Sequence, residues 1–322
     1  MGGYFIGMDV GGTHMRLLFE SANGTAALYE GAGCSVSVVG FDATRTAYEK
    51  VVQRALRENG RDAKDCLSLC VGAAGVDSEA LRLQYLRIFE ELGFVRERVH
   101  IFNDSELFLH LSDEGAHVVS VAGTGAISIG RSEGGRIVRC GGWGHLLSDE
   151  GSGSYLVMRA LTEIIHHLDG CESCPILADL FRQESGLANQ HDIAQFYFRH
   201  VAQKGDLARY AYILDRAAES GDPTARRILK EAAECIFRSI MTVSEAVRPA
   251  NGRAFDIILW GSVLIKSALI RTHVTELVQR TYRQARVNVA DQEAVRVALD
   301  IAKRLYSEQS KPRLDALSQC KP

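Results

Sequence analysis

A chain of 322 residues is long enough for two domains, each burying its own core. Hydrophobic residues make up 46% and charged residues 24%, an ordinary globular balance, and a net charge of −3 argues against binding nucleic acid or a membrane surface by bulk electrostatics. No apolar run approaches the roughly 20 residues of a membrane span, and MGGYFIGMDVGG is no signal peptide, because Asp9 interrupts its apolar run almost at once.

YFIGMDV (4–10) predicts a short buried strand that runs into GGT, followed by a second strand at MRLLFE (15–20) and a third within TAALYEGAG. FDATRTAYEKVVQRALRENG has apolar residues at helical spacing and a terminal glycine, so a helix follows. LSLCVGAAGVD predicts a buried strand, SEALRLQYLRIFEELG a helix, and RVHIFNDS a strand ending at Asn103–Asp104. The opening then recurs: HVVSVAGTGAISIGRSEGGRIVRCGG (117–142) again reads strand, glycine turn with threonine, strand, turn, strand. Helical periodicity dominates from about 150 to 247, with breaks at Gly170–Pro175, Gly186 and Gly205. A buried strand (255–260), Gly261–Ser262 and a helix come next, then a strand at RVNVAD, a final helix at QEAVRVALDIAKRLYSEQ and a frayed tail. Two similar α/β halves facing each other across a cleft is the economical reading.

The eight cysteines (Cys34, Cys66, Cys70, Cys140, Cys171, Cys174, Cys235, Cys320) are scattered, and several lie in apolar strand-like runs. That usage fits reduced thiols in a cytoplasmic protein better than a disulfide framework. Cys171 and Cys174 have metal-ligand spacing, with His166, His167 and His191 near in sequence. A tetrahedral zinc site needs four ligands. A loop between helices, closed by Pro175, is the plainer reading.

DVGGTHMR places Asp9 just before a glycine hairpin whose N–H groups can point at an anion, with Thr13 adding a hydroxyl. Asp9 is placed to hold magnesium, through water. A plain hairpin turn is the competing reading, but AGTGAIS repeats the device, and two hairpins can clamp one polyphosphate from both sides. Neither a Walker A motif nor a dinucleotide GxGxxG after a first strand is present. Gly261, between a strand and a helix start, either lets a flat nucleoside lie against backbone or makes a tight turn. Asp104, at the carboxyl end of a buried strand, can act as a general base toward a hydroxyl or cap the helix SELFLHL, with Glu106 just inside it. Residues 141–156, GGWGHLLSDEGSGSYL, set Asp149 and Glu150 inside a glycine-dense run headed by Trp143.

In order, DVGGT, ND at a strand end, AGTGA, GGWGHLLSDEGS and LWGSV resemble the sugar-kinase, heat-shock ATPase and actin superfamily. Within it the chain is most similar to N-acetylglucosamine kinases and the related BadF/BadG/BcrA/BcrD ATPase family. GGWGHLLSDEGS is the specific string; the other motifs are superfamily-wide. The resemblance implies an α/β fold of two ribonuclease-H-like (actin-like ATPase) domains. They would span 1–113, completed by the C-terminal helix at about 292–310, and 114–291, with a helical insert and the sugar loop. It implies ATP and Mg2+ as cofactors, a small-molecule sugar as substrate, no nucleic acid or membrane partner, and a homodimer. Gly11, Gly12 and Thr13 would cradle the ATP phosphates opposite Gly123, Thr124 and Gly125, with Gly261 and Ser262 near the nucleoside. Asp104 would take the proton from the sugar 6-hydroxyl. Gly142 and Trp143 would offer backbone to the sugar, Asp149 would hold its ring hydroxyls, and Thr124 and Glu150 would line the sugar site. Where these kinases carry a substrate-contacting asparagine after the third strand, GAGCSVSVV offers Ser35 and Ser37, and Ser37 is the expected contact. The family usually opens its last helix with a GA pair; QEAVRVALD lacks it, so the final segment is expected to pack differently.

The leading expectation is therefore phosphoryl transfer from ATP to the 6-hydroxyl of an amino sugar, N-acetylglucosamine first, with glucosamine or N-acetylmuramic acid as alternatives. An ATPase activator of a radical reductase or dehydratase shares the fold but needs cluster cysteines, and Cys171 and Cys174 sit in a helical stretch away from either hairpin. Asp9 and Asp104 argue against a non-catalytic sensor. A repressor would need a basic helix-turn-helix before the first hairpin.

Overall fold

The computed structural model describes residues 2–11, 14–110, 115–200, 207–290 and 292–309, with the Ser37 side chain outside them. The chain divides into two compact units, Met1–Leu111 with Gln292–Pro322, and Ser112–Asp291.

In the first unit, β1 (Tyr4–Val10), β2 (His14–Ser21) and β3 (Ala26–Ala32) form an antiparallel meander, and β4 (Cys66–Ala73) and β5 (Val99–Asn103) add in parallel on the other side of β1. The sheet order is β3-β2-β1-β4-β5. A single turn, α1 (Val36–Val39), precedes α2 (Phe41–Glu58), whose Thr44, Tyr48, Val51, Val52 and Ala55 recur at helical spacing and are buried. Tyr48 meets Tyr85 and Phe89 of α3 (Glu79–Glu91) edge to face. The opposite face of the sheet is covered by α11 (Ala294–Gln309), the last of the described helices. It lies so close to β1 that a Cβ on Gly7 would overlap the Leu299 backbone nitrogen and sit 2.6 Å from the Val295 carbonyl.

The second unit repeats the plan. β6 (His117–Ala122), β7 (Ala126–Arg131) and β8 (Ile137–Gly141) form the meander. β9 (Phe255–Trp260) and β10 (Ala285–Val289) extend the sheet in parallel beside β6, giving β10-β9-β6-β7-β8. Read from β8, this is the order of the first sheet: third, second, first, fourth, fifth. The chain is thus α/β with two ribonuclease-H-like units, and the second carries α4 (Gly153–Leu168), α5 (Pro175–Ser185), α6 (Gln190–His200) and α7 (Tyr212–Glu219) before the long α8 (Pro223–Val247). α8 buries Ile228, Leu229, Ala232, Ile236, Ile240, Val243 and Val247 along one stripe. α9 (Ser262–Lys266) and α10 (Ala268–Thr281) follow β9.

Asp222 ties this helical region together. Its carboxylate accepts from Ala225 N–H at the start of α8 (2.9 Å) and from Leu177 N–H at the start of α5 (3.0 Å), and the residue is 1% exposed. Glu163 of α4 is held by Arg227 of α8 at 3.0 Å and faces Arg159 at 3.7 Å.

Three expectations meet a different outcome or lie outside the description. The helix expected at SELFLHL forms as a 3-10 run, Asp104–His110. Leu107 is driven into the space over Gly72 of β4, where any Cβ would overlap it, and this pulls the turn tight against the sheet. The break at Gly205 and the tail beyond residue 309 fall outside the described residues. Cys34, Cys66, Cys70, Cys140, Cys171, Cys174 and Cys235 are free thiols. Burial pushes Cys34 up to about 11 and Cys66 to about 12, so both stay protonated and inert.

Candidate active site

In the first unit β1, β4 and β5 run parallel, with Val10, Ala73 and Asn103 level in the ladder. Asp9 and Asp104 therefore stand at the same, carboxyl edge of the sheet, two strands apart, which is about 10 Å. Asp9 faces a cavity of about 380 Å³ lined by Gly11, His14, Met15, Arg16 and Glu30. Arg16 reaches across from β2, with Nη2 3.5 Å from Asp9 Oδ2 and Nη1 donating to Glu293 Oε1 at 2.9 Å. Burial pushes the Asp9 carboxyl above its ordinary value and Arg16 opposes the shift. A sunken carboxylate that needs a neighbouring positive charge to stay ionised is a fitting oxygen donor for a hard divalent cation. Gly11 N–H is spent on His14 O (2.9 Å), closing the hairpin; Gly12 and Thr13 lie outside the described residues.

Asp104 is held by a network that the sequence reading missed. Asn103 Nδ2 donates to Asp77 Oδ1 (3.2 Å), and Asn103 Oδ1 accepts from Ser105 N–H (3.1 Å) and Oγ (2.6 Å). Glu106 accepts from Asn103 N–H at 3.1 Å and pairs with Arg82, which also donates to the Ile101 carbonyl. The capping role considered for Asp104 is thus shared: Ser105 N–H is taken by Asn103 as well as by Asp104 Oδ1 at 2.9 Å. The segment after β3 is tied inward. Ser35, 6% exposed, hydrogen-bonds Tyr85 of α3, whose hydroxyl also accepts Val36 N–H at 3.1 Å.

In the second unit, β6 and β9 are parallel neighbours, which sets Gly261 beside Ala122 and Gly123 beside Ser262. Gly261 has φ +98°, and a Cβ there would overlap the Ala122 carbonyl, so the close approach of these two turns requires glycine. Gly123 N–H closes its hairpin onto Gly125 O (2.9 Å), as Gly11 does in the first unit. The turn is braced from α4: Gly153 N–H donates to Gly123 O (2.7 Å) and Ser154 Oγ to Thr124 O (2.6 Å). Among the described residues Thr124 and Gly125 N–H keep no internal hydrogen bond, and the Thr124 side chain is exposed. Beside the hairpin opens a cavity of about 340 Å³ that includes Ser262, Lys266, Tyr212 and Asp215.

The 141–153 loop bends through left-handed glycines at 141, 142, 144 and 151. Gly151 docks on α8, with no room for a Cβ against the Ala232 carbonyl at 2.9 Å. Asp149, 3% exposed, lies at the base of the loop. Trp143 stands 60% exposed with the Arg139 guanidinium 3.9 Å above its ring, a cation–π contact. Gly142 spends its N–H on Ser148 O (3.2 Å) and its carbonyl on Arg139 Nη2 (3.3 Å), so its backbone serves first to close the loop. Glu150 is exposed, at the rim of a separate cavity of about 190 Å³ with Cys140, Cys235 and Arg238.

Each unit thus offers a glycine hairpin at its sheet edge, one accompanied by carboxylates and the other by hydroxyls. A profile of the BadF/BadG/BcrA/BcrD ATPase family matches residues 6–299. The chain belongs to that family.

Among relatives, an N-acetylmuramic acid/N-acetylglucosamine kinase of Clostridium acetobutylicum is 27% identical over 251 residues, 77% of this chain and 81% of its own. An N-acetyl-D-glucosamine kinase of Dictyostelium discoideum is 25% identical over 294 residues, covering 88% of this chain and 92% of the relative. A solved Chromobacterium violaceum structure with a provisional N-acetylglucosamine kinase label superposes with a TM-score of 0.72 over 94% of this chain and 99% of its own, at 23% identity. That likeness shows the fold. As a member of this ATPase family the chain uses ATP.

The activator reading raises the question of cluster cysteines. Cys171 is exposed and Cys174 buried in the loop before α5, where Cys174 Sγ donates to the Glu163 carbonyl at 3.5 Å. Among the described residues no three His, Cys, Asp or Glu side chains gather as a metal-binding group, and no helix is long and apolar enough to cross a membrane.

Proposed function

We propose that this family member is an ATP-dependent kinase that phosphorylates the 6-hydroxyl of an amino sugar, N-acetylglucosamine first. The observation that carries the proposal is the 141–153 loop, which has four left-handed glycines, a nearly sealed carboxylate, Asp149, and an exposed indole, Trp143. A carboxylate is acceptor-only and suits ring hydroxyls, and an indole face suits the apolar side of a pyranose.

Asp104 takes the proton from the 6-hydroxyl as the phosphoryl group arrives, and the Asp77–Asn103–Ser105 bonds hold it in aim. Thr124 and Gly125 N–H neutralise charge on the transferring group. Asp9 would hold Mg2+ through water, and the ion would supply charge neutralisation between the phosphates. In this reading Ser37 is the residue after β3 that contacts the sugar. The protein would work as a cytoplasmic homodimer, in keeping with its inert buried thiols.

The test is a panel of N-acetylglucosamine, glucosamine, N-acetylmannosamine, N-acetylmuramic acid and 6-deoxy-N-acetylglucosamine, read by ADP release from purified protein. N-acetylglucosamine should give the highest kcat/KM and the 6-deoxy sugar no turnover. Rapid ADP release without any sugar would overturn the kinase reading in favour of an activator-type ATPase.

A further inference from the structure

The cavity beside the second hairpin contains a carboxylate that the proposed chemistry leaves unused. Asp215 of α7 accepts a 2.6 Å hydrogen bond from Ser267 Oγ through Oδ1, and Ser267 caps α10 through Ile270 N–H. No Lys, Arg or His of the described residues pairs with Asp215, and burial pushes its carboxyl up. Lys266 lines the same cavity and likewise has no ion pair among the described residues. The other polar groups there are committed: Arg209 donates to Tyr210 and stacks on its ring, and the Tyr212 hydroxyl donates to Glu184. Leu156, Ala208, Ala211 and Val263 make the remaining wall aliphatic.

Position narrows the ligand. Ser262 lies against Gly123, where phosphates would sit, and Ser267 is five residues further along. The helix Ser262–Lys266 advances about 6 Å along its axis and Ser267 follows in extended backbone, a span on the scale of the step from phosphate to sugar. A carboxylate needs donors, and a lysine needs acceptors; a vicinal diol offers both at adjacent carbons. Adenine's hydrogen-bonding edge sets an acceptor nitrogen next to its amine, which a carboxylate would repel.

We propose that Asp215, aimed by Ser267, binds the ribose 2′- and 3′-hydroxyls of the nucleotide, with Lys266 beside it as donor. The assignment rests on the reading of the chain as an ATP-dependent kinase and adds the group that selects a ribonucleotide.

Calorimetric titration of the full chain with ATP, 2′-deoxy-ATP, 3′-deoxy-ATP and GTP tests it, first on the wild type and then on Asp215→Asn and Ser267→Ala. Loss of a hydrogen bond to a charged acceptor predicts about ten- to a hundredfold weaker binding of at least one deoxy analogue by the wild type. Asp215→Asn, which keeps an oxygen for Ser267, should weaken ATP by a similar factor and erase the preference for ATP over the deoxy analogue, with the sugar KM unmoved. The wild-type comparison needs no substitution, so a misfolded variant does not blunt the test. Equal binding of ATP and both deoxy analogues by the wild type would overturn the assignment. So would an Asp215→Asn protein that keeps its ribose preference and changes only its ATP-to-GTP ratio, which would place the base edge there instead. Ribose selection without phosphorylation of any sugar would sink the kinase reading alone; no ATP binding would sink both.

Discussion

The two sheets run in the same strand order, yet their edges carry opposite chemistry. In the first unit the parallel strands end in carboxylates, Asp9 and Asp104. In the second, the matching edge holds Gly123, Thr124, Gly261 and Ser262, braced by the Ser154 hydroxyl and the Gly153 N–H. Carboxylates repel phosphate oxygens, whereas N–H and hydroxyl donors attract them, so the two edges suit different partners. Duplicated topology has been loaded with complementary rather than duplicated side chains.

The sharpest way to break this contrast is at Asp104. Asp104→Asn should lower kcat by about two to four powers of ten while leaving calorimetric ATP and sugar affinities nearly intact, the scale of a lost general base. Turnover above a tenth of wild type would return the acid–base role to another group.

The comparison also extends to how each sheet seats its covering helix. Gly7 of β1 meets helix backbone, the Leu299 nitrogen and Val295 carbonyl. Gly130 of β7 meets mainly side-chain ends, Val243 Cγ1 at 2.6 Å and Val247 Cγ2 at 3.1 Å, with the His117 carbonyl also at 3.1 Å. Side chains can turn and helix backbone cannot, so urea unfolding should charge Gly7→Ala more than about 3 kcal/mol and Gly130→Ala about 1–2 kcal/mol. Equal losses would mean that α11 shifts as readily as two valines rotate.

Asp149→Ala probes the carboxylate of the second unit that is proposed to meet the sugar. It should raise the sugar KM by about tenfold or more and leave ATP affinity unchanged, because a charged acceptor is lost to the ring hydroxyls. Weakened ATP with untouched sugar binding would reverse the two assignments.

The smallest effect is electrostatic. Burial alone would raise the Glu163 carboxyl, but Arg227 and Arg159 hold it below its usual 4.5. A carboxyl lowered in the folded state stabilises above its unfolded pKa and loses that contribution as pH falls through the folded one. Thermal unfolding of Glu163→Gln should therefore lose less stability than wild type below about pH 4.5. The difference should stay within about 1 kcal/mol, since both arginines are more than a third exposed to side-chain solvent screening.

Much of the fold could be read locally. The run YFIGMDV buries Tyr4, Ile6, Met8 and Val10 and stops at glycine, and the same signature at HVVSVAGTG marks the second sheet's start. The place of Asp104 just past the end of a buried strand was legible because a polar pair ended an apolar run. Its support was not, because Asp77 meets Asn103 across 26 residues; nor was the Ser267–Asp215 bond of the second unit, across 52, and no short window contains either pair. The 3-10 form of Asp104–His110 depends on Leu107 filling the gap left by Gly72, 35 positions earlier, which periodicity cannot see. The final helix, expected to pack differently because it lacks the family's small-residue opening, seats instead on Gly7, so the small residue needed for close approach sits on the strand.

Asp222 has a kinetic consequence. Each of its oxygens holds the first turn of a different helix, α5 and α8, so neither start can fray without stranding a buried charge beside the other. Amide protons at the heads of two helices 48 residues apart in sequence should therefore exchange with solvent as one cooperative unit, and the inserted helices open together with the long helix under the sheet rather than ahead of it.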